Sequence, residues 1–341
     1  MPFRTEPPIA TPPRTAVLWC NLGSPDEPTA AAVRPYLADF LGDPRVVEIP
    51  KAVWWPILHG IILRIRPAKS AAKYASIWLA EGSPLKVWTL RQAQMLQGWL
   101  GERGHRVSVF DAMRYGNPSI EQRLDELQKD GTTRILVLQA YPQYSATTTA
   151  SVIDAINAWG AKARRLPEFR FVNQYHDDPL YIEALAQSVT RHWQHRGRPD
   201  QLVLSFHGIP ERNIRLGDPY QAQCLATAGL LAERLQLRPD QHRVTFQSRF
   251  GRAKWLEPYT EPTLRELGSQ GVKRVDIMCP GFPADCLETL EEIAMEAREA
   301  FLHSGGSEFN YIPCLNDSPE WITALSGIAE RHLQGWPTRA A

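Results

Sequence analysis

The run Leu202-Val203-Leu204-Ser205-Phe206-His207, closed at once by Gly208-Ile209-Pro210, decides the fold. Apolar residues stand on both faces of so short a segment, the pattern of a strand covered on both sides and so of a parallel sheet. Further β-branched or aromatic runs end in turns at 15–22, 106–111, 134–140, 170–174, 243–247, 274–279 and 309–313. Between them lie helical segments with readable starts. Pro28 opens 28–41, Ser83-Pro84 opens 84–100, Pro118-Ser119 opens 118–129 and Pro179 opens 179–195. Strand alternating with helix implies right-handed βαβ units with helices on both faces of the sheet. The chain therefore reads as α/β, with two similar doubly wound, Rossmann-like domains, each built on a four-stranded parallel sheet.

The pattern is interrupted at 164–167, which sets the domains at 1–165 and 166–317. The closing segment 318–341, with a helix at about 318–334, is expected to pack back on the first domain. A weak echo supports two related halves: Asn21-Leu22-Gly23-Ser24-Pro25 and Phe206-His207-Gly208-Ile209-Pro210 both carry a strand into a Gly-x-Pro turn. In open sheets of this kind ligands sit beyond the carboxyl ends of the strands.

Composition narrows the function. The 341 residues carry 38 Lys+Arg against 37 Asp+Glu, a net charge of +1 without runs of one sign, so nucleic acid is not an expected partner. Five cysteines without C-x-x-C spacing point to reduced thiols in a cytoplasmic protein rather than to a disulfide scaffold or a structural zinc site. The stretch 1–14 holds five prolines and no apolar h-region, so export is not expected. The most apolar stretch, 52–65, contains Pro56, His59, Gly60 and Arg64 and falls short of the ~20 residues a spanning helix needs. It reads either as an internal helix or, with Arg64, Arg66 and Lys69 behind it, as a surface that lies on a membrane or over a greasy ligand. Neither Gly-x-Gly-x-x-Gly nor Gly-x-x-x-x-Gly-Lys-[Ser/Thr] occurs, so NAD and ATP lack their usual support.

His207 places an imidazole at a strand's carboxyl end, where it is either a reactive group or a histidine satisfied by local hydrogen bonds. Glu288, Glu292 and Glu296 recur at i, i+4 and i+8, so an α-helix sets them within about 80° of one another over about 12 Å. That stripe is either a solvated acidic face, with Leu287, Leu290, Ala294, Ala297 and Phe301 opposite, or a ladder able to hold a cation or pass protons. Arg114-Tyr115 and Tyr141–Ser145 follow the second and third strands and read as rim loops suited to a flat ligand with carboxylates. Thr147–Thr149 are placed to cap the next helix.

Ser205–Pro210, Gly217-Asp218-Pro219-Tyr220, Gln247-Ser248-Arg249-Phe250-Gly251 and Asp285-Cys286-Leu287-Glu288-Thr289-Leu290-Glu291-Glu292 together resemble ferrochelatase. Asn21–Pro25, Phe40-Leu41-Gly42-Asp43-Pro44, Gly82-Ser83-Pro84-Leu85 and Tyr141–Ser145 fall in the family's order from about 15 to 320. The resemblance implies a chelatase fold with an interdomain porphyrin cleft. It implies a lyase inserting Fe²⁺ into protoporphyrin IX, the terminal step of haem biosynthesis. It also assigns residues: His207 as proton acceptor or metal ligand, Glu288 as its partner and second metal ligand, and Glu292 and Glu296 as a proton or metal path. Arg114 and Tyr115, and more weakly Tyr74, Ser83 and Tyr144, become porphyrin contacts, and 52–66 an apolar lip giving peripheral contact with the inner face of the membrane. Ala146 stands at the internal cluster-ligand position of the animal enzymes and no cysteine follows Cys314, so a [2Fe–2S] cluster is not expected. The animal C-terminal dimer extension is missing too, so a monomer is expected. WWPILHGIILR and KYASIWLAEGSPL look like the Gram-negative bacterial branch, which uses protoporphyrin. The competing readings are a chelatase for sirohydrochlorin-type rings, whose eight carboxylates want a basic pocket, and a haem carrier using His207 as axial ligand.

Overall fold

The computed structural model describes residues 13–251 and 253–339; the proline-rich stretch 1–12 and the last two residues of 318–341 lie outside them. The strands are β1 (Arg14–Ser24), β2 (Val107–Gly116), β3 (Thr132–Gln139), β4 (Glu168–Phe171), β5 (Gln201–His207), β6 (His242–Gln247), β7 (Arg274–Met278) and β8 (Glu308–Tyr311). They form two four-stranded sheets, ordered β2-β1-β3-β4 and β6-β5-β7-β8, with every pairing parallel. Both sheets thus have the same strand order, as a doubled α/β unit requires.

The central strands are the most buried. Ala16 to Cys20 on β1, Ile135 to Leu138 on β3 and Leu202 to Leu204 on β5 are all inaccessible, because helices cover both faces of each sheet. Helix starts follow local chemistry. Ser119 caps Ile120–Lys129 with a reciprocal capping box to Gln122, and Asp178 caps Pro179–Arg196 through the Leu180 N–H. Pro28 lies outside the first helix, Ala30–Gly42, whose cap is Thr29. Likewise Ser145, not the threonines after it, caps the segment at Ala146–Ala150 by accepting from the Thr147 N–H.

The chain clusters into two units. Of the described residues, one holds those up to Ala140, Ser145–Asn173 and those from Leu325 to 339; the other holds Tyr141–Tyr144 and those between Gln174 and Ala324. The first unit passes 165 because β4 pairs with β3 through Arg134↔Glu168 to Val137↔Phe171. The last helix, Pro319–Leu333, changes unit part-way along its length. Its end is held within the first unit: Arg103 pairs with Glu330 at 2.6 Å, and Arg170 donates to the carbonyls of His332 and Gln334 at 2.9 and 2.7 Å.

Three helical segments close i→i+5 rings instead of i→i+4: Leu58–Ile62, Ala146–Ala150 and Glu288–Ala297. Such segments are rare, and they concentrate where function requires a local departure from the α-helix.

Candidate active site

His207 ends β5, in register with Gln247 at the end of β6. The backbones close tightly there. The Gly208 N–H donates to the Gln247 carbonyl at 2.8 Å, and a Cβ on Gly208 would stand 2.8 Å from that same oxygen, so only glycine fits. The His207 Nδ1 lies 2.6 Å from the Gly208 carbonyl oxygen. A carbonyl can only accept, so Nδ1 carries a proton, and in the neutral ring the lone pair is on Nε2. Phe282 and Trp255 flank the half-buried ring, with centroids 6.5 and 6.4 Å away, and exposed Phe250 packs on Trp255 at 4.8 Å.

The acidic ladder lies on Glu288–Ala297, a helix in i→i+5 register and not the α-helix the spacing predicts. A wider turn leaves four residues just short of one revolution, so the i, i+4, i+8 stripe persists but winds the other way. The buried stripe is therefore Thr289, Ile293 and Ala297, directly beside the carboxylates rather than opposite them. Ile293, Ala297 and Phe301 join the core with Val275 and Ile277 of β7. Glu288 and Glu292 sit half-buried at the border of that core and Glu296 is exposed, so the ladder runs from the interior to solvent.

Glu292 accepts from the Ser248 N–H at 2.7 Å, from the Ser248 hydroxyl, and from the Gln247 side-chain amide at 3.4 Å. Ser248 reaches it through a left-handed backbone, φ 67°, a strained choice for a non-glycine residue. Burial raises the Glu292 carboxyl above its ordinary value and the charge of Glu288 adds to this, while Ser248 and the attraction of His207 oppose it. The helix start is anchored by buried Asp285, which accepts from Thr289, Tyr311 and Asn316 at 3.1, 2.5 and 2.6 Å.

A second polar cluster lies in the first unit. Arg114 and Tyr115 are on β2 itself, which runs to Gly116 and so takes in residues that the sequence assigns to a rim loop. Asp43 Oδ2 accepts from Arg114 at 2.5 Å, Tyr115 at 2.8 Å and Ser151 at 2.5 Å, and its Oδ1 accepts the Arg45 N–H at 2.8 Å. Arg114 Nε also donates to the Ser151 hydroxyl and carbonyl at 2.7 and 2.9 Å. Burial pushes the Asp43 carboxyl up, but Ser151, the Arg45 N–H, Tyr115 and Arg114 together hold it below its ordinary value. Tyr115 is only 2 % exposed.

The other candidates are scattered. Tyr74 is buried edge-on to Tyr36, and Ser83 is buried at the start of Pro84–Glu102. Tyr144 is half-buried in the second unit, its N–H donating to Gln223 at 2.7 Å. The structure thus gathers His207, Glu288 and Glu292 around Gln247 and Ser248, and gathers Arg114 and Tyr115 around Asp43 and Ser151. Sequence reasoning quoted Gln247-Ser248, Asp285 and Asp43 within motifs without giving them roles. A polar residue closing the strand run 243–247 was the available signal for Gln247. Among the described residues, no three His, Cys, Asp or Glu side chains converge as a ready-made metal site.

The ferrochelatase family profile matches residues 14–333. The chain is 69 % identical over 328 residues to the ferrochelatase of Methylibium petroleiphilum, covering 96 % of this chain and 90 % of that protein. This chain belongs to the ferrochelatase family. The ferrochelatase of Polaromonas sp. is 65 % identical over 346 residues, covering 100 % of this chain and 94 % of that one. Ferrochelatases insert ferrous iron into protoporphyrin in haem biosynthesis, and that is the reaction of this enzyme. Among solved structures, SirB from Bacillus subtilis with Fe³⁺ superposes with a TM-score of 0.54 at 15 % identity, covering 94 % of this chain and 96 % of that one. That likeness shows the fold alone. Sequence identity, not fold, separates this chain from the chelatases of other rings.

Proposed function

We propose that the ferrochelatase reaction is carried by the second unit, with His207 Nε2 accepting pyrrole protons and Glu288 and Glu292 passing them toward exposed Glu296. The reaction requires this bookkeeping: Fe²⁺ enters, two pyrrole N–H bonds break, four Fe–N bonds replace them and two protons leave. The observation that carries the reading is the His207 Nδ1 contact to the Gly208 carbonyl. It leaves Nε2 of the neutral ring as the open lone pair, the atom placed to accept a proton. A carboxylate raised by burial, such as Glu292, can receive and release a proton more readily near neutral pH than an ordinary one. The same lone pair, with Glu288, could instead ligate the incoming metal; Fe²⁺ is in either case a substrate.

Arg114, Tyr115, Tyr74, Ser83 and Tyr144 are proposed porphyrin contacts. Arg114 and Tyr115 would act from a frame fixed by Asp43, since Arg114 Nη2 and the Tyr115 hydroxyl are already engaged there. No iron–sulfur cluster belongs to this reading, which rests here on the resemblance: Ala146 stands at the internal ligand position and supplies no ligand.

The lip reading also gains support. Val53, Trp55, Ile57, Ile61 and Ile65 are exposed, four of them at four-residue spacing, and exposed Arg64, Arg66 and Lys69 follow. Leu58 and Leu63 are buried and the Trp54 indole donates to the Leu41 carbonyl at 2.7 Å, so the helix is seated while its apolar stripe faces water. Such a stripe with cations beside it suits a membrane surface. No described helix is long and apolar enough to cross one. We place the enzyme in the cytoplasm, peripheral on the inner face of the membrane and monomeric, the last resting on the resemblance alone.

Anaerobic incubation with Fe²⁺ and protoporphyrin IX or coproporphyrin III, followed by loss of free-base fluorescence, tests the reading. Catalytic insertion into protoporphyrin is expected; a coproporphyrin preference would keep the chemistry and change the pathway, and binding without insertion would leave a carrier. Co-sedimentation with anionic vesicles, weakened by Trp55→Ser and Ile61→Ser, checks the lip.

A further inference from the structure

One residue links the strand end that carries His207 to the helix that carries Glu288 and Glu292. The backbone carbonyl of Gln247 accepts the Gly208 N–H at 2.8 Å, next to His207. Its side-chain Nε2 donates to the backbone carbonyl of Glu288 at 2.8 Å and reaches the Glu292 carboxylate at 3.4 Å. Its Oε1 accepts from the Ser205 hydroxyl at 2.8 Å and lies 3.6 Å from the Cys279 thiol. Ser205 is fixed in turn, its hydroxyl 2.9 Å from that of Thr260. Two donors on one side and two acceptors on the other leave the buried amide a single orientation.

We propose that Gln247 is a positioning residue, which holds the acidic helix in its i→i+5 register and fixes Glu288 and Glu292 relative to His207. The chemistry follows from the Glu288 carbonyl. A side-chain N–H inserted at a helix carbonyl competes with the i→i+4 ladder at that point and opens the turn. Glu288 is the first residue of the i→i+5 segment, where such an insertion has most leverage. The same amide's other N–H faces Glu292, one turn further on. Strand end, helix register and carboxylate are thereby held by one residue, the first through its backbone and the other two through its side chain.

This rests on the reading that His207 and the acidic helix carry the reaction. Gln247→Met keeps the volume of the side chain and removes both donors and the acceptor. The expected result is a folded protein with unchanged protoporphyrin affinity by fluorescence quenching and a rate of insertion from the bound complex lower by about 100-fold, the scale of a misplacement of about 1 Å. A folded Gln247→Met protein inserting metal at the wild-type rate would overturn the clamp, as would a loss of porphyrin affinity that accounts for the whole fall in rate. Should Gln247→Met not fold, Gln247→Asn, which stays polar but withdraws the amide by one methylene, is read by the same criteria. His207→Ala is run beside them. Inactivity of that variant with wild-type insertion in the Gln247 variants removes the clamp alone, whereas an active His207→Ala removes the reading beneath it.

Discussion

Strands β2 and β6 hold the same place in their sheets, and so do the helices that follow β3 and β7, yet the two units use these positions differently. In the first unit Arg114 of β2 donates to the carbonyl and hydroxyl of Ser151, just past the i→i+5 segment Ala146–Ala150, and pairs with Asp43. In the second, Gln247 of β6 donates to the carbonyl of Glu288 at the start of the i→i+5 segment Glu288–Ala297, and among the described residues no Lys or Arg pairs with Glu292. The first cluster carries a balanced charge, with every acceptor filled. The second holds a half-buried carboxyl group by an amide, a hydroxyl and an N–H. A neutralised cluster stabilises a frame; a carboxylate held by neutral donors can exchange protons or attract a cation.

The sharpest way to break this comparison is to unbalance the first cluster. Asp43→Ala strands the Arg114 guanidinium and should destabilise the first unit by about 3 kcal/mol in denaturant melts, the usual penalty for removing one partner of a buried pair. A loss of a few tenths would deny it a structural role. Next, Glu288→Gln should lower kcat by about 100-fold while leaving the melting curve in place, the scale of a lost proton-transfer group. Glu292→Gln, one step further along the ladder, should lower kcat by about tenfold, and Glu296→Gln, already in solvent, by less.

The smallest effect concerns pH, and its sign differs between the clusters. Asp43 sits below its ordinary value, so the unfolded chain binds its proton first; its contribution is complete above about pH 4 and is lost as pH falls below that. Glu292 sits above its ordinary value of 4.5, so the folded chain binds the proton more tightly and stability declines as pH rises from there through the raised value. Asp43→Asn should flatten the acid-side slope of the stability curve and Glu292→Gln the decline above it. Identical slopes in both variants would mean the two clusters do not differ in kind.

Much of this was legible in the sequence. Apolar runs such as Leu202–Phe206 announce buried parallel strands because burial on both faces leaves no alternation, and His207-Gly208 marks a strand end. The reach of β2 through Arg114 and Tyr115 was not legible, since charged and hydroxylated residues read as a loop until Asp43 and Ser151, remote in sequence, are seen to satisfy them. The register of Glu288–Ala297 was hidden for a similar reason. Four-residue spacing suits both helix types, and the partner at the Glu288 carbonyl lies 41 residues away. The first unit runs on past 165 because β4 is short, and only its pairing with β3 assigns it.

The most direct test of the central claim is single-turnover metal insertion in His207→Ala, with protoporphyrin already bound and Fe²⁺ added anaerobically. The account predicts a folded protein that binds porphyrin and inserts metal at least about 10³-fold more slowly than wild type. Insertion at the wild-type rate would contradict it and move the chemistry away from the end of β5.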